Sequence, residues 1–354
     1  MALATEKNVA FAFDVDGVLL RGTEPIPGAA RALKRLQEQN IPFIFLTNGG
    51  GLTEKAHVAR LEQRLGLSLS AAQMVQSHSP FHDLQAQYWN QTILVLGGHG
   101  DVIRNLAFSY GFGDVLTSSD FFIDYPNLHP FPEITGFHHV LHGRRSRIQV
   151  AAILVWSSPR DWCMDLQLIK DLLLSDGGRV GTRDTTNGTP SLPNCGYQLN
   201  GVKLFFSNPD FEWATAHNLP RLAQGAFIAA LKGIWAEETK GQAELQYSVV
   251  GKPCEQTFKY AERKLVRYSG AIRASADRYG SQVDTVYMVG DNPASDIAGI
   301  LVETGVHIAD TTPSHAPCHT APDVLQAVDW VLEMHGLARS TKSTKEGKRR
   351  MSFG

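Results

Sequence analysis

The chain has 354 residues, 43% hydrophobic and 19% charged, with a formal net charge of −2. This is ordinary globular composition, long enough for two domains. The near-neutral balance gives no global field for nucleic acid or anionic membrane, and no apolar run reaches transmembrane length. The four cysteines (Cys163, Cys195, Cys254, Cys318) lack CxxC spacing, which argues for free thiols rather than a zinc site or disulfide framework.

In chain order, Val9–Phe13 reads as a buried strand ending in Asp14-Val15-Asp16-Gly17. Alternate strand residues share a face, so both carboxylates emerge at the sheet edge where open parallel sheets bind ligands. Pro27-Gly28 opens a helix with Ala29, Ala32, Leu33 and Leu36 at helical spacing. A second apolar run, Ile41–Leu46, ends in Thr47-Asn48-Gly49-Gly50-Gly51. Thr53 is the expected N-cap of a helix through Leu65, with Glu54 in its first turn and Gly66 as its stop. This alternation predicts a parallel sheet with right-handed crossovers.

After about Ser79 the texture changes. Strands are expected at Ile93–Leu96, Val150–Trp156 and Val202–Phe206. Irregular stretches such as Asp124–His142 and Gly177–Gly201 lie between them, as in an inserted second domain. Regular α/β patterning resumes at Tyr247–Val250. Lys252-Pro253 begins a helix through about Val266, and a strand at Val283–Val289 ends at Gly290-Asp291. A helix after Asp296, a strand at Val306–Ala309 and a last helix at Asp323–Met334 complete the pattern. From Arg339 the chain carries six Lys/Arg against one acid and reads as a solvated, disordered tail. Within it, Arg349-Arg350-Met351-Ser352 looks like a basophilic kinase site.

The strand ends supply, in order, a DxD (Asp14, Asp16), a Thr47-Asn48, a Lys252 and a GDxxxxD (Asp291, Asp296). Together they resemble the motifs of the haloacid dehalogenase (HAD) superfamily of phosphotransferases. The resemblance implies an α/β, HAD-like Rossmannoid core with a parallel sheet. A phosphate dianion repels an attacking carboxylate by about 4 kcal/mol per charge pair at 4 Å and an effective dielectric near 20, so cations must offset it. In the resemblance, Mg²⁺ is held by the Asp14 carboxylate, the Asp16 backbone carbonyl and Asp291, with Asp296 in support. Asp14 is the nucleophile and Asp16 the general acid and base. Thr47, Asn48 and Lys252 bind the phosphoryl oxygens. Asn292 either orients the metal shell or makes a turn.

The insertion falls between the Thr-Asn and Lys motifs, which implies the α/β C2-type cap of the class IIA, NagD-like branch. Gly22–Ala29, Leu46–Gly51, Ser77-His78-Ser79-Pro80-Phe81, Ser158–Trp162 and Phe206–Asp210 resemble, more closely, the cat-eye-syndrome critical region subfamily. The expected organisation is core 1–79, cap 80–245, core 246–338 and tail 339–354. Asn208 and Asp210 are cap candidates for substrate contact. Arg160 is either an anion contact or a surface arginine packed on Trp162. Arg144, Arg145 and Arg147 read as a solvated loop, and His78 and His138-His139 receive no role.

The expected function is a Mg²⁺-dependent phosphatase for a small organic phosphate monoester, for instance a glycerol phosphate or a lipid-related phosphate. The alternatives are phosphoryl transfer to an acceptor other than water and a non-catalytic binding protein of the same fold. The partner is a phosphorylated small molecule, not nucleic acid, and related caps imply a homodimer through the cap. A cleaved signal would remove Asp14 and its strand, and Glu6 is foreign to transit peptides. Cytoplasmic localisation is therefore expected, with a mitochondrial alternative from the relatives the chain resembles.

Overall fold

The computed structural model describes residues 8–98, 100–128, 148–213, 215, 217, 219–275, 283–296, 299–307 and 312–337. The chain begins with β1 (Val9–Phe13), the hairpin β2 (Leu20–Arg21) and β3 (Glu24–Pro25), α1 (Ala29–Glu38), β4 (Phe43–Leu46), α2 (Glu54–Leu65) and β5 (Met74–Val75). It continues through α3 (Gln85–Tyr88), β6 (Thr92–Leu96), α4 (Val102–Ser109), β7 (Asp114–Leu116), α5 (Ser118–Asp124), β8 (Ala152–Val155), α6 (Trp162–Leu174) and β9 (Lys203–Phe206). A hairpin of β10 (Glu212–Trp213) and β11 (Arg221–Leu222), then α7 (Gln224–Glu238) and β12 (Ser248–Val249), follow. Last come α8 (Glu255–Ser275), β13 (Thr285–Gly290), β14 (Ile300–Val302), β15 (His319–Ala321) and α9 (Val324–Met334).

Two parallel sheets organise these elements. The core sheet has the order β15-β14-β13-β1-β4-β5 and the cap sheet β12-β9-β8-β6-β7. β1 is buried on both faces. Phe11 and Phe13 join the core of α1, α2 and α9, while Ala10 and Ala12 face Tyr260, Ala261 and Leu265 of α8. Burying each phenylalanine contributes about 1.5–3 kcal/mol, and the two alanines let α8 lie close. In the cap, Ile93, Val95 and Leu154 face α4, and Leu94, Leu96, Ile153 and Val155 face α6 and α7. Register sets the site: Phe13 pairs with both Val289 and Phe45. β1, β13 and β4 therefore end at one level, and the residues that follow them share one edge.

Local signals hold where they are strongest. α1 buries Ala29, Ala32, Leu33 and Leu36. Thr53 caps α2 by accepting the Ala56 N–H, and Gly66 ends it in the left-handed region at φ 64°. Asp323 caps α9. In place of the expected helix after Asp296, β14 begins at Ile300. Residues 291–299 alone join β13 to β14, fewer than the dozen a crossover helix needs. The last strands are Ile300–Val302 and His319–Ala321 rather than Val306–Ala309. The Val306 and His307 N–H groups turn to Asp291 instead of a ladder, and residues 308–309 lie outside the described residues. α8 runs on to Ser275 because nothing stops it at Val266. β12 lies at the edge of the cap sheet, past the expected cap limit of 245. Arg144, Arg145, Arg147, His138-His139 and Ser352 lie outside the described residues.

Candidate active site

Asp14 follows β1 directly. Its Oδ1 accepts the Val15 N–H at 2.7 Å and its Oδ2 meets Lys252 Nζ at 2.8 Å. Lys252, fully buried, also reaches Asp296 Oδ1 at 2.6 Å. Burial works to lower the lysine pKa, but Asp14 and Asp296 overcome it and hold the ammonium charged. The Lys252 backbone is clamped by Asn48, whose Oδ1 accepts the Lys252 N–H at 2.7 Å and whose Nδ2 donates to the Lys252 carbonyl at 2.9 Å. The Asn48 side chain is thus spent on positioning. Its backbone N–H donates to no protein acceptor among the described residues. Buried Thr47 accepts the Gly49 N–H at 2.9 Å, which leaves its hydroxyl hydrogen free to donate into the site.

Asp16 sits one turn further. Burial and the neighbouring Asp14 push its pKa up to about 6, against the pull of Lys252 and Arg64. Such a carboxyl group can give a proton near neutral pH and take it back. Gly17 (φ 85°) has to be glycine: a Cβ there would collide with the Asp291 carboxylate. Asp291 Oδ2 accepts the Val306 N–H at 2.7 Å.

Asp14, Asp291 and Asp296 each bring one carboxylate oxygen within 4.8 Å of the others, all buried. Burial, with Asp14 and Asp296, pushes the Asp291 pKa well up. Burial likewise takes Asp296 to about 6, with Lys252 pulling it down and Asp14 pushing it up. Lys252 is one cation against three buried carboxylates, and this hard oxygen donor set fits a divalent ion such as Mg²⁺. The Asp16 carboxylate lies outside the trio. Asn292 shapes the loop: its Oδ1 accepts the Ala294 N–H and its own N–H donates to Asp296.

A cavity of about 330 Å³ opens above these groups, between core and cap. Asn208 and Asp210 line it and tie the cap to the core: Asn208 Nδ2 donates to the Asn48 carbonyl at 3.2 Å, and Asp210 Oδ2 accepts from Asn48 Nδ2 at 2.9 Å. Arg160 lines the same cavity. Sequence reasoning missed His57, Arg60 and Arg64 of α2 and Trp213 and Leu222 of the cap hairpin, which also line it. The α2 residues follow helical spacing from the Thr53 cap and were legible in principle. The two-residue strands of the hairpin carry no periodicity to read. His78 is a buried packing residue whose Nδ1 meets the Tyr110 hydroxyl at 2.9 Å.

Residues 11–113 match the family model of haloacid dehalogenase-like hydrolases, and 249–327 match a HAD-hydrolase-like model. The chain is 36% identical to the mitochondrial hydrolase YKR070W of Saccharomyces cerevisiae over 94% of this chain and 97% of that one. It belongs to the haloacid dehalogenase-like hydrolases. Within that superfamily, a cap inserted between the Thr47-Asn48 and Lys252 motifs places it in the NagD-like class IIA. A Schizosaccharomyces pombe cardiolipin synthase (CMP-forming)/mitochondrial hydrolase fusion protein is 33% identical over 93% of the chain, which spans 54% of that protein. Among solved structures, p-nitrophenyl phosphatase from Archaeoglobus fulgidus shares the fold, with a TM-score of 0.60 and 18% identity over 92% of this chain and 100% of that one.

Proposed function

We propose that the chain, a phosphatase of the HAD superfamily, hydrolyses a small organic phosphate monoester through an aspartyl-phosphate on Asp14. The observation that carries this reading is the convergence of Asp14, Lys252 and Asp296 at one strand edge, with Asp291 beside them. Asp14 attacks phosphorus, assisted by Lys252, which holds its carboxylate in place. The Thr47 hydroxyl and the Asn48 N–H meet the equatorial oxygens. Asp16 protonates the leaving oxygen, then takes a proton from the water that cleaves the acyl phosphate. Mg²⁺, held by Asp14 and Asp291 with Asp296 in support, would supply the charge that lets these carboxylates and the phosphoryl group share one site.

A glycerol phosphate or lipid-related phosphate is the substrate class we favour. The fusion of the fission-yeast relative to a cardiolipin synthase supports it. The names of both yeast relatives favour a mitochondrial over a cytoplasmic location for this chain, which cell fractionation tests. For the reaction, a panel of phosphate monoesters with Mg²⁺ is compared between wild type and Asp14→Asn. Phosphate release and an acid-stable phosphoenzyme that hydroxylamine discharges are expected from wild type, and neither from the variant. Turnover that survives the substitution would refute the nucleophile.

A further inference from the structure

His57, Arg60, Leu61 and Arg64 follow the spacing i, i+3, i+4, i+7, so they form one stripe of α2, and that stripe lines the cavity. Arg60, exposed, and Arg64, half-buried, stand one turn apart at the cavity wall, a like-charge pair at i, i+4 that the helix itself disfavours. Among the described residues neither is ion-paired to a carboxylate. Arg64 makes only a long 3.5 Å contact to the Gly22 carbonyl, and its charge reaches Asp16. Arg160, at the end of the cap segment that follows β8, enters the same cavity, also without a carboxylate partner among the described residues.

The stripe lies on the leaving-group side. A Cβ at Gly49 would sit 3.6 Å from Asp16 Oδ2 and 3.9 Å from His57 Cε1, so α2 stands next to the group that protonates the departing oxygen. The His57 tautomer is set from behind. Gln76 Nε2 donates to the Leu52 carbonyl at 2.8 Å, which turns Gln76 Oε1 toward His57 Nδ1 at 2.9 Å. Nδ1 therefore carries the proton and Nε2 is left as an acceptor. Two cap carboxylates, Asp210 and Glu212, also line the cavity, and neither is ion-paired to these arginines. Asp210 is engaged by Asn48.

We propose that Arg60 and Arg64, joined by Arg160 from the cap, form a subsite for a second anionic group carried by the leaving alcohol. Within the glycerol-phosphate and lipid-related class proposed above, the enzyme then selects monoesters whose alcohol itself bears a carboxylate or a further phosphate over unsubstituted glycerol phosphate. This deepens the phosphatase reading and rests on it for the placement of the leaving group.

Two matched pairs test it, each differing by one anion: 3-phosphoglycerate against glycerol 3-phosphate, and propane-1,3-diol bisphosphate against 3-hydroxypropyl phosphate. Calorimetric Kd ratios are measured in the Asp14→Asn background, and kcat/KM ratios in the active enzyme. A charge-assisted contact predicts a preference of about tenfold or more for the anionic member. The preference should fall toward unity in Arg60→Met/Arg64→Met, shrink in Arg160→Met, and persist in Arg31→Met, a control on the outer face of α1. A preference for only one pair identifies the anion. Equal Kd values within both pairs, or a preference that persists in Arg60→Met/Arg64→Met with its fold confirmed by circular dichroism, overturns the subsite. Absence of turnover by wild type with Mg²⁺ overturns the reaction instead, and the Kd ratios still decide the subsite.

Discussion

Lys252 carries two roles that pull in opposite directions. It is fully buried, which disfavours its charge, yet it bridges Asp14 and Asp296. Lys252→Met would leave those carboxylates facing each other without an ammonium. Removing one partner of a buried ionic group costs about 3–5 kcal/mol, and losing a preorganised cation at the phosphoryl group costs about 10²–10³ in rate. We expect both losses, in thermal melts and in kcat at saturating Mg²⁺; a variant with near-wild-type kcat would show that the lysine is only structural. At this scale the motif residues were legible because they cluster at strand ends, with Asp14, Thr47 and Asp291 directly after β1, β4 and β13. Asn48 was only half legible. Its position was predicted, but its side chain serves Lys252 and Asp210, partners 204 and 162 residues away, and no local pattern reports contacts of that range.

Among the elements, α6 shows how one polar residue on an apolar face sets a pH dependence. Asp165 lies on the buried side with Leu168, Ile169 and Leu172, and its Oδ1 has no hydrogen-bond partner. Burial pushes its pKa up to about 7, with Ser118 opposing and Asp161 adding. In the unfolded chain the carboxyl titrates near 3.9. The folded state therefore keeps a proton that the unfolded chain releases. The resulting stability is present in full below about pH 4 and is lost as pH rises through about 7. Asp165→Asn should gain on the order of 3–4 kcal/mol at pH 7.5 and almost nothing at pH 4. Urea unfolding at the two pH values measures this; a variant less stable than wild type at pH 7.5 would contradict it. Helix starts were legible here because caps are local, as at Thr53 and Asp323. The β13–β14 connection was misread because a helix was expected after Asp296, whereas the nine residues 291–299 are too few for one.

The whole molecule is two sheets joined by a buried polar contact as well as by the chain. Glu54, in the first turn of α2, accepts from the hydroxyls of Tyr110 in the cap at 2.6 Å and Ser79 at 2.9 Å. Since Tyr110 donates to Glu54, His78 Nδ1 donates to Tyr110. Its Nε2 is then bare, in keeping with a pKa pushed down to about 4 by burial. Burial also acts to raise the Glu54 pKa, but these hydrogen bonds prevail and lower it. We expect Glu54→Gln and Tyr110→Phe to be strongly non-additive, with a coupling of about 1–3 kcal/mol in a double-mutant cycle. Additive effects on unfolding would show that the contact does not join cap to core. Because α2 also carries Arg60 and Arg64, this contact holds the cap against the helix that walls the cavity.

The sequence by itself determined the fold class, the presence of an inserted cap and which polar residues gather at one edge of the core sheet. These rest on short-range regularities: strand burial, helix caps, and polar residues placed just where an apolar run stops. Only the tertiary structure decided which face of α2 meets the cavity, which cap residues close it, and that Asn48 works as a clamp. The rotation of a helix and the seating of one domain on another follow from contacts between residues far apart in the chain. In the proposed reaction the paired aspartates at the end of β1 act on the phosphoester bond, and the packing of α2 against the cap shapes the space for the molecule that carries it.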